Sequence, residues 1–204
     1  MDAYRNIAAV YDAVTASFLN GPRRLMAETC AALGARRVLD LGCGTGVFVS
    51  MLRMHVDLAV GVDISPAMLR KTTARQTTRT SSPLFVLADG TALPFAANSF
   101  DLLTYALVLH ESDSNPELLL RRGFSLSSLA LVLEWRMPER NLDYPRSLWA
   151  HAVERLAGRD HYRHFRAFMR NGGLNGLAHR AGASIVCERP LKGGAFVLAL
   201  LRAL

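Results

Sequence analysis

The sequence predicts an α/β fold: a doubly wound, mostly parallel sheet ending in an antiparallel β-hairpin, with N-terminal helices and a helical insertion before the hairpin. Between residues 36 and 137, short leucine-rich and β-branched runs alternate with helical segments, which is typical of βαβ units. In "VLDLGCGTGVF", three glycines separate a strand-like run from a helix-like run. The final "ASIVCERPLKGGAFVLALLRAL" contains two strand-like runs joined through Lys192-Gly193-Gly194, a hairpin signal.

The composition fits one globular domain, since half of the 204 residues are hydrophobic. No apolar run approaches the ~20 residues that span a bilayer, and "MDAYRNIAAVYD" lacks a basic-then-apolar leader. The three cysteines have neither pair nor metal spacing, which fits a reducing compartment. We therefore expect a cytoplasmic protein. The net charge of +7 comes almost wholly from scattered arginines, which favours a solvated surface over a dedicated face for nucleic acid, an acidic membrane or another anion.

The first elements are helical. Residues 3–19 and 22–34 predict two amphipathic helices, separated by the breaker "NGP" at Asn20–Pro22. A strand "RRVLDLG", a helix "VFVSMLRMH" and a second strand "LAVGVDI" follow. Ser65 then supplies an N-cap and Pro66 a first-turn proline for the helix "PAMLRKTTARQ".

The second half of the core is less regular. The polar tract "TTRTSSP" predicts a loop, and "LFVLADG", "FDLLTYALVL" and "LALVLEW" predict the third, fourth and fifth strands. Only 17 residues, Ser112 to Ser128, connect the fourth strand to the fifth, so the crossover helix must be short. We place it at Pro116 to Arg122, with Asn115 as its cap. Residues 141–181 are mainly helical and break the alternation.

The glycine loop is the first feature that points to a ligand. A dinucleotide fingerprint would place its third glycine at position 47, but the glycine comes one residue early, at Gly46. Asp40 ends the first strand, where it would repel a pyrophosphate and attract a cation. S-adenosylmethionine, with its sulfonium and ammonium groups, fits both the glycines and the acid, and nicotinamide-dependent redox chemistry is disfavoured.

Two further acids end the next strands. Asp63 follows the second strand at the position where a carboxylate accepts hydrogen bonds from ribose hydroxyls. Asp89 ends the third strand, within reach of an adenine amino group. Each alone could cap a loop, but three acids at successive strand ends predict one crevice at the carboxyl edge of the sheet.

With these residues the sequence resembles the class I S-adenosylmethionine-dependent methyltransferases, of Rossmann-like fold. "VLDLGCGTG", "GVDISPAML", "ADGTALPF" and "FDLLTYALVLHE" resemble that family's first four motifs, covering residues 36–111. The resemblance implies that S-adenosylmethionine binds and leaves as S-adenosylhomocysteine, that no metal takes part, and that Tyr105 faces the sulfonium. The implied cofactor site consists of Asp40, Gly42, Cys43, Gly44, Gly46, Asp63, Ile64, Met68, Asp89, Gly90 and Tyr105.

"IAAVYD" and "LVLHE" look more like the methyltransferase type 11 branch of ubiquinone and menaquinone biosynthesis. This resemblance implies a small-molecule acceptor, quinone- or lipid-like, and N-terminal helices that close over the cofactor with Tyr11 capping the site. Peripheral membrane contact and a homodimer are compatible with it. It divides the chain into an N-terminal cap (1–35), a cofactor-binding core (36–137), a helical acceptor-site segment (138–182) and the terminal hairpin (183–204).

The catalytic residues are less defined by the pattern. His110, beside Glu111, is the candidate general base, but it could instead order the turn after the fourth strand. In "HYRHFRAFMR", Tyr162, Phe165, Phe168 and Met169 form one helical stripe and the arginines another. These stripes are either core and solvent faces or an acceptor pocket with an anion site. His161 and His164 have no acidic partner at metal spacing, so we assign no metal site.

Two functions stay open at this point. The first is an active methyltransferase that uses direct methyl displacement. The second is a non-catalytic protein that binds S-adenosylmethionine or S-adenosylhomocysteine in a regulatory or assembly role, favoured by the short crossover. A nucleic-acid amino-methylating enzyme is disfavoured, because "TYAL" stands where an Asn/Asp-Pro-Pro-aromatic motif would lie.

Overall fold

The computed structural model describes residues 8–73, 84–112, 115–137, 150–151, 154–155 and 158–204, with side chains in the first helix from residue 18 onward. Seven strands form one sheet in the order β3-β2-β1-β4-β5-β7-β6. Their bounds are β1 Arg37–Leu41, β2 Leu58–Asp63, β3 Leu84–Leu87, β4 Leu102–Ala106, β5 Leu129–Trp135, β6 Ala183–Leu191 and β7 Phe196–Ala203. The helices are α1 Ala8–Ala32, α2 Val47–Leu52, α3 Pro66–Thr73, α4 Pro116–Phe124, α5 Arg159–Arg170 and α6 Gly173–Arg180.

The sheet is parallel from β3 to β5, and β7 then pairs antiparallel with both β5 and β6. The apolar runs become buried central strands, and every residue of β1 after Arg37 is buried. Strand order reverses between β1 and β4. Because crossovers are right-handed, α2 and α3 lie on one face of the sheet and α4 on the other. The predicted doubly wound fold with its terminal hairpin is confirmed, and its switch point lies between β1 and β4.

The prediction of two N-terminal helices is wrong, because α1 continues from Ala8 to Ala32 with Pro22 inside it. A proline inside a helix removes one backbone hydrogen bond and costs about 3 kcal/mol. Leu19, on one side of the proline, and Met26 and Cys30, on the other, are all buried in the same core. We attribute the continuity to this shared apolar stripe, whose burial offsets the cost.

The two predicted helix starts are confirmed. The Ser65 hydroxyl accepts a hydrogen bond from the Met68 amide at 3.2 Å, with Pro66 as the first helical residue. The Asn115 side chain accepts from the amides of Glu117 and Leu118, and α4 is two residues longer than predicted. The tract "TTRTSSP" lies outside the described residues.

The C-terminal part also follows the predicted outline. A short 3-10 turn at Lys192–Gly194 joins β6 to β7, with a register shift between Ile185 and Cys187. Of the predicted helical stretch 141–181, the described part is helical at 150–151, 154–155, α5 and α6. In α5, Phe165, Phe168 and Met169 are buried and the arginines exposed, so these stripes are core and solvent faces. No helix in the described ranges is long and apolar enough to cross a membrane.

Gly123 allows α4 to approach the sheet closely. A Cβ atom at this position would lie 2.1 Å from the Tyr105 hydroxyl and 3.0 Å from Leu103. We expect Gly123→Ala to lower the free energy of unfolding by about 1–3 kcal/mol, measured by urea denaturation, because the buried tyrosine has little room to move. Adding Tyr105→Phe removes the hydroxyl and should recover part of the loss. Wild-type stability in Gly123→Ala would contradict this packing.

Candidate functional site

A cavity of about 240 Å³ lies at the carboxyl ends of the parallel strands, at the β1/β4 switch point. The predicted residues that line it are Asp40, Gly42, Cys43, Gly44, Asp63, Ile64, Met68, Asp89 and Gly90. These residues lie at or just after the ends of β1, β2 and β3. Because these strands are neighbours in the sheet, the residues follow one another along the crevice in the same order. The fold thus brings nine of the eleven predicted cofactor residues to one cavity, and their role in binding a cofactor stays a prediction.

The glycine loop forms the floor of this cavity. Gly42 has a φ of 74°, and a Cβ atom there would lie 2.3 Å from Val108, so a side chain cannot be accommodated. Gly44 has a φ of 55° with no atom within 4 Å of where its Cβ would be, which leaves space on the cavity side. Gly46 does not line the cavity. A Cβ on it would meet Phe85 and Thr72, so its role is packing.

Asp40 places a carboxyl group deep in the cavity wall, with only 1% of the residue exposed. The Thr104 hydroxyl donates a hydrogen bond to Oδ1 at 2.8 Å. Burial raises the pKa of Asp40 to about 7, although the Thr104 hydrogen bond and the charge of Arg23 oppose that rise. Such a group can exchange between neutral and charged forms near neutral pH, and a cationic ligand would favour the charged form.

Asp63 connects β2 to the glycine loop. Its Oδ2 accepts a hydrogen bond from the Gly44 amide at 2.7 Å, and its Oδ1 accepts one from the Ser65 amide at 2.8 Å. A carboxylate offers about four lone-pair sites, so a group of this kind can hold the loop and also serve as a hydrogen-bond acceptor for hydroxyl groups. Asp63 thus fixes the shape of the loop while it lines the cavity.

The outer end of the cavity is more open. Asp89 Oδ1 accepts hydrogen bonds from the Thr91 amide and hydroxyl, both at 2.8 Å, so it caps its own turn as well as lining the cavity. Ile64 is 63% exposed, which is unusual for a large apolar residue beside a cavity, and Met68 is buried. Together they give the cavity an apolar wall.

Tyr105 does not face the cavity. Its ring is fully buried, its hydroxyl lies 3.4 Å from the Leu119 carbonyl oxygen, and burial raises the pKa of the phenol. Side chains alternate across a strand, so Tyr105 points to the α4 face while Thr104 reaches Asp40. The prediction that Tyr105 faces a sulfonium is corrected here. Ala106, Leu107 and Val108 line this part of the cavity instead.

His110 is not on the cavity wall. It is buried, its Nδ1 donates to Glu134 Oε1 at 2.7 Å, and its ring lies among Trp135, Phe165 and Phe168. Burial alone would lower the pKa of His110, but the charges and hydrogen bonds of Glu134 and Glu154 outweigh it and raise that pKa well above its usual range. A general base in direct contact with a bound acceptor is therefore not supported for His110. The Tyr11 side chain lies outside the described residues.

Three cavity features were missed by the sequence reasoning. Arg23, on α1, is buried and lines the cavity. Leu107 lines it with a φ of 61°, a backbone conformation that costs a leucine roughly 1–3 kcal/mol. Glu111 lines the end near β4. Arg23 is one of many scattered arginines and Leu107 one of many leucines, so neither carried a distinguishing signal; Glu111 was noted only as a neighbour of His110.

Comparison with known proteins agrees with this geometry. Residues 39–124 match the family described as "Methyltransferase domain". The match covers 86 of the 204 residues. The match contains the glycine loop, Asp63, Asp89 and the short α4, and excludes the C-terminal hairpin.

Relatives and solved structures extend the comparison. Over 84 residues the chain is 43% identical to malonyl-[acyl-carrier protein] O-methyltransferase of Legionella pneumophila, covering 40% of this chain and 29% of that protein. Over 152 residues it is 30% identical to ubiquinone/menaquinone biosynthesis C-methyltransferase UbiE of Shewanella frigidimarina, covering 69% of this chain and 61% of that protein. Magnesium protoporphyrin IX methyltransferase from Synechocystis, solved with bound SAH, shares the fold, with a TM-score of 0.61 and 17% identity over 90% of this chain and 84% of that chain.

The chain spans less than a third of the first relative's length and about three fifths of the second's. The Rossmann-like fold is therefore shown, the similarity to methyltransferases covers residues 39–124, and the identity of the acceptor is a separate question. The matched segment contains the described cavity residues from Asp40 to Leu119, whereas Arg23 lies before it. The helical stretch before the hairpin lies beyond it.

Proposed function

We propose that the protein is an S-adenosylmethionine-dependent methyltransferase that acts on a small molecule by direct methyl displacement. The observation that carries this proposal is the single cavity into which Asp40, Asp63 and the glycine loop converge at the β1/β4 switch point. Such crevices bind nucleotide-like ligands in doubly wound sheets. A buried acid with no glycine at position 47 favours a cationic nucleoside over a dinucleotide.

We assign each group of cavity residues to one part of S-adenosylmethionine. Asp63 would accept hydrogen bonds from ribose hydroxyls, and Asp89 would lie near the adenine. Ile64 and Met68 would cover the base, which accounts for an exposed isoleucine beside the cavity. Cys43 and Gly90 would contribute wall and backbone contacts.

Arg23 would meet the methionine carboxylate, because it is a buried cationic residue and, among the described residues, the one cation that lines the cavity. We expect Arg23→Ala to weaken S-adenosylmethionine binding roughly 10–100-fold, since a hydrogen bond between charged groups contributes about 1.5–3 kcal/mol. Arg24→Ala is the matched control, because Arg24 follows Arg23 in the sequence and its side chain is exposed. Isothermal titration of both variants checks this. Equal affinities would contradict the assignment.

In direct methyl displacement the protein contributes mainly by aligning the two reactants and by excluding water, and a general base is of less importance. When bound, S-adenosylmethionine supplies an electrophilic methyl group on a sulfonium. Phe48, Val108 and Leu119 form apolar parts of the wall, which would limit water access. Asp40 would offset positive charge at the methionine end. These contributions suit an acceptor that is already nucleophilic.

The acceptor end lies near β4, since β1 to β3 hold the nucleoside residues. The wall at this end is mostly apolar and consists of Ala106, Leu107, Val108 and Leu119. Two polar residues, Glu111 and Ser112, also line it. This lining supports a quinone- or lipid-like acceptor. The UbiE relative, which acts in ubiquinone and menaquinone biosynthesis, supports a quinone in particular.

The test is transfer of a labelled methyl group from S-adenosylmethionine. The purified protein is given a reduced naphthoquinone with a prenyl tail, a malonyl thioester, or no acceptor. The proposal predicts labelled naphthoquinone and S-adenosylhomocysteine, both lost in Asp63→Ala. Binding of S-adenosylhomocysteine with no transfer to any acceptor would favour the second candidate, a non-catalytic binding protein. The seclusion of His110 from the cavity supports that second candidate.

A further inference from the structure

Two histidines and two glutamates meet beside the cavity described above, and one of the four, Glu111, also lines it. His110 Nε2 lies 3.4 Å from Glu154 Oε1 and 3.7 Å from Glu111 Oε1. His161 Nε2 lies 2.5 Å from Glu154 Oε2 and 3.6 Å from Glu111 Oε1. One donor atom from each of His110, Glu154 and His161 can be chosen so that all three lie within 4.8 Å of one another. We call these four residues the His/Glu cluster.

The separations suit a metal ion. In a tetrahedral zinc site, imidazole nitrogens lie about 2.0–2.1 Å and carboxylate oxygens about 2.0–2.2 Å from the ion, so neighbouring donors are roughly 3.3–3.6 Å apart. Three of the four separations, at 3.4, 3.6 and 3.7 Å, are at or close to this range. The fourth separation, 2.5 Å between His161 Nε2 and Glu154 Oε2, is shorter, and a small movement of the Glu154 carboxylate would lengthen it to this range. The donors come from the β4 end, α5 and the helical residues at 154–155.

The burial of two polar atoms provides a second observation. His110 Nε2 and Glu154 Oε2 are buried, and neither makes a hydrogen bond of ordinary geometry. Each instead faces a charged group of the cluster: His110 Nε2 lies 3.4 Å from the Glu154 carboxylate, and Glu154 Oε2 lies 2.5 Å from His161 Nε2. A bound ion would give both buried atoms a partner of suitable geometry.

The surroundings also resemble those of a metal site. Glu134 holds His110 Nδ1 at 2.7 Å, which fixes the ring and leaves Nε2 as the atom available to an ion. Trp135 Nε1 donates to Glu154 Oε1 at 2.6 Å and orients that carboxylate. The rings of Phe165 and Phe168 form apolar surroundings for His110, with ring centroids 5.9 and 6.3 Å from its own. His161 and Glu111 keep about 15% exposure, which gives an ion a route of entry.

We propose that His110, His161, Glu154 and Glu111 bind one divalent transition-metal ion of the zinc type. Imidazole nitrogen combined with carboxylate oxygen favours zinc and its neighbours over magnesium or calcium. The expectation of no metal site relied on nearby sequence. Glu154 lies seven residues from His161 but 44 from His110, and the fold brings all three together. Glu111 also lines the cavity, so the ion would lie beside its β4 end.

The test uses the full chain after dialysis against EDTA, titrated with zinc chloride by calorimetry and with cobalt chloride by visible absorption. Wild type is expected to bind one equivalent of zinc and to show the d–d bands of four-coordinate cobalt. His161→Ala should bind zinc at least tenfold more weakly and lose those bands. His179→Ala, which removes an exposed histidine outside the cluster, should behave as wild type.

Thermal melting separates binding from misfolding. Zinc should raise the melting temperature of wild type and His179→Ala, and have little effect on His161→Ala, because a ligand that binds only the folded state stabilises it. If His161→Ala lacks the wild-type circular dichroism in EDTA, Glu111→Gln takes its place. No zinc binding by wild type, or binding unchanged in the cluster variants, would overturn the proposal. Neither result depends on S-adenosylmethionine, so the methyltransferase proposal is tested separately.

Discussion

Asp63→Ala is expected to weaken binding of S-adenosylmethionine and S-adenosylhomocysteine by at least about 100-fold. The substitution removes hydrogen bonds to a charged group, each worth about 1.5–3 kcal/mol, from the ligand hydroxyls that we assign to Asp63. It also leaves the Gly44 and Ser65 amides without the carboxylate that holds the loop. The two losses act together, which makes this the largest effect on binding that we expect.

The measurement is isothermal titration of the folded variant. Asp160→Ala is the matched control, because it removes an exposed aspartate from α5 and should retain wild-type affinity. Circular dichroism shows whether the Asp63 variant keeps its secondary structure. Affinity within about threefold of wild type in a folded Asp63→Ala would contradict the assignment of Asp63 to the cofactor site.

The second prediction concerns pH and stability. The folded-state pKa of Asp40, about 7, is raised above the ordinary value of 3.8. The stabilising contribution of this group is therefore present in full below about pH 4 and is lost as pH rises toward 7, because the folded state binds the proton more tightly. About three pKa units correspond to a loss of up to about 4 kcal/mol in the free energy of unfolding.

Asp40→Asn isolates this contribution, since the amide is neutral at every pH and its oxygen can still accept from Thr104. Urea denaturation of the ligand-free proteins should give similar stabilities near pH 4. Near pH 8 the variant should be more stable, by up to about 4 kcal/mol. Other groups also change the stability with pH. The pKa of Glu154 is lowered to about 2, so its contribution to the free energy of unfolding is lost as pH falls. Such groups are the same in the two proteins, so their effects cancel in the comparison. Parallel pH curves for the two proteins would contradict the burial of Asp40 in its neutral form.

The features that the sequence predicted well depend on local pattern. Apolar runs alternating with helices gave the strands, and the acids after them reached one edge because parallel strands end together. Ser65 and Asn115 cap their helices as expected, since capping needs only residues within three positions. The glycine loop was recognisable because a tight turn with positive φ angles restricts the residue type.

The features that were missed depend on packing. Pro22 signalled a helix break, but buried residues on both sides of it keep α1 continuous. Tyr105 lies one strand position out of phase with the cavity, and its contacts with Gly123 and Leu119 show that it occupies the α4 face. Arg23 and Glu154 reach their sites through the tertiary fold, so no spacing within the sequence links them to Asp40 or His110.

The most direct test of the central claim is calorimetric titration of the wild-type protein with S-adenosylmethionine, S-adenosylhomocysteine and NAD. The acid-lined cavity predicts one site for the first two, with dissociation constants of roughly 1–100 µM, and no binding of NAD. Binding of NAD in preference to S-adenosylmethionine, or no binding of any of the three, would contradict the claim that this cavity is a methyltransferase cofactor site.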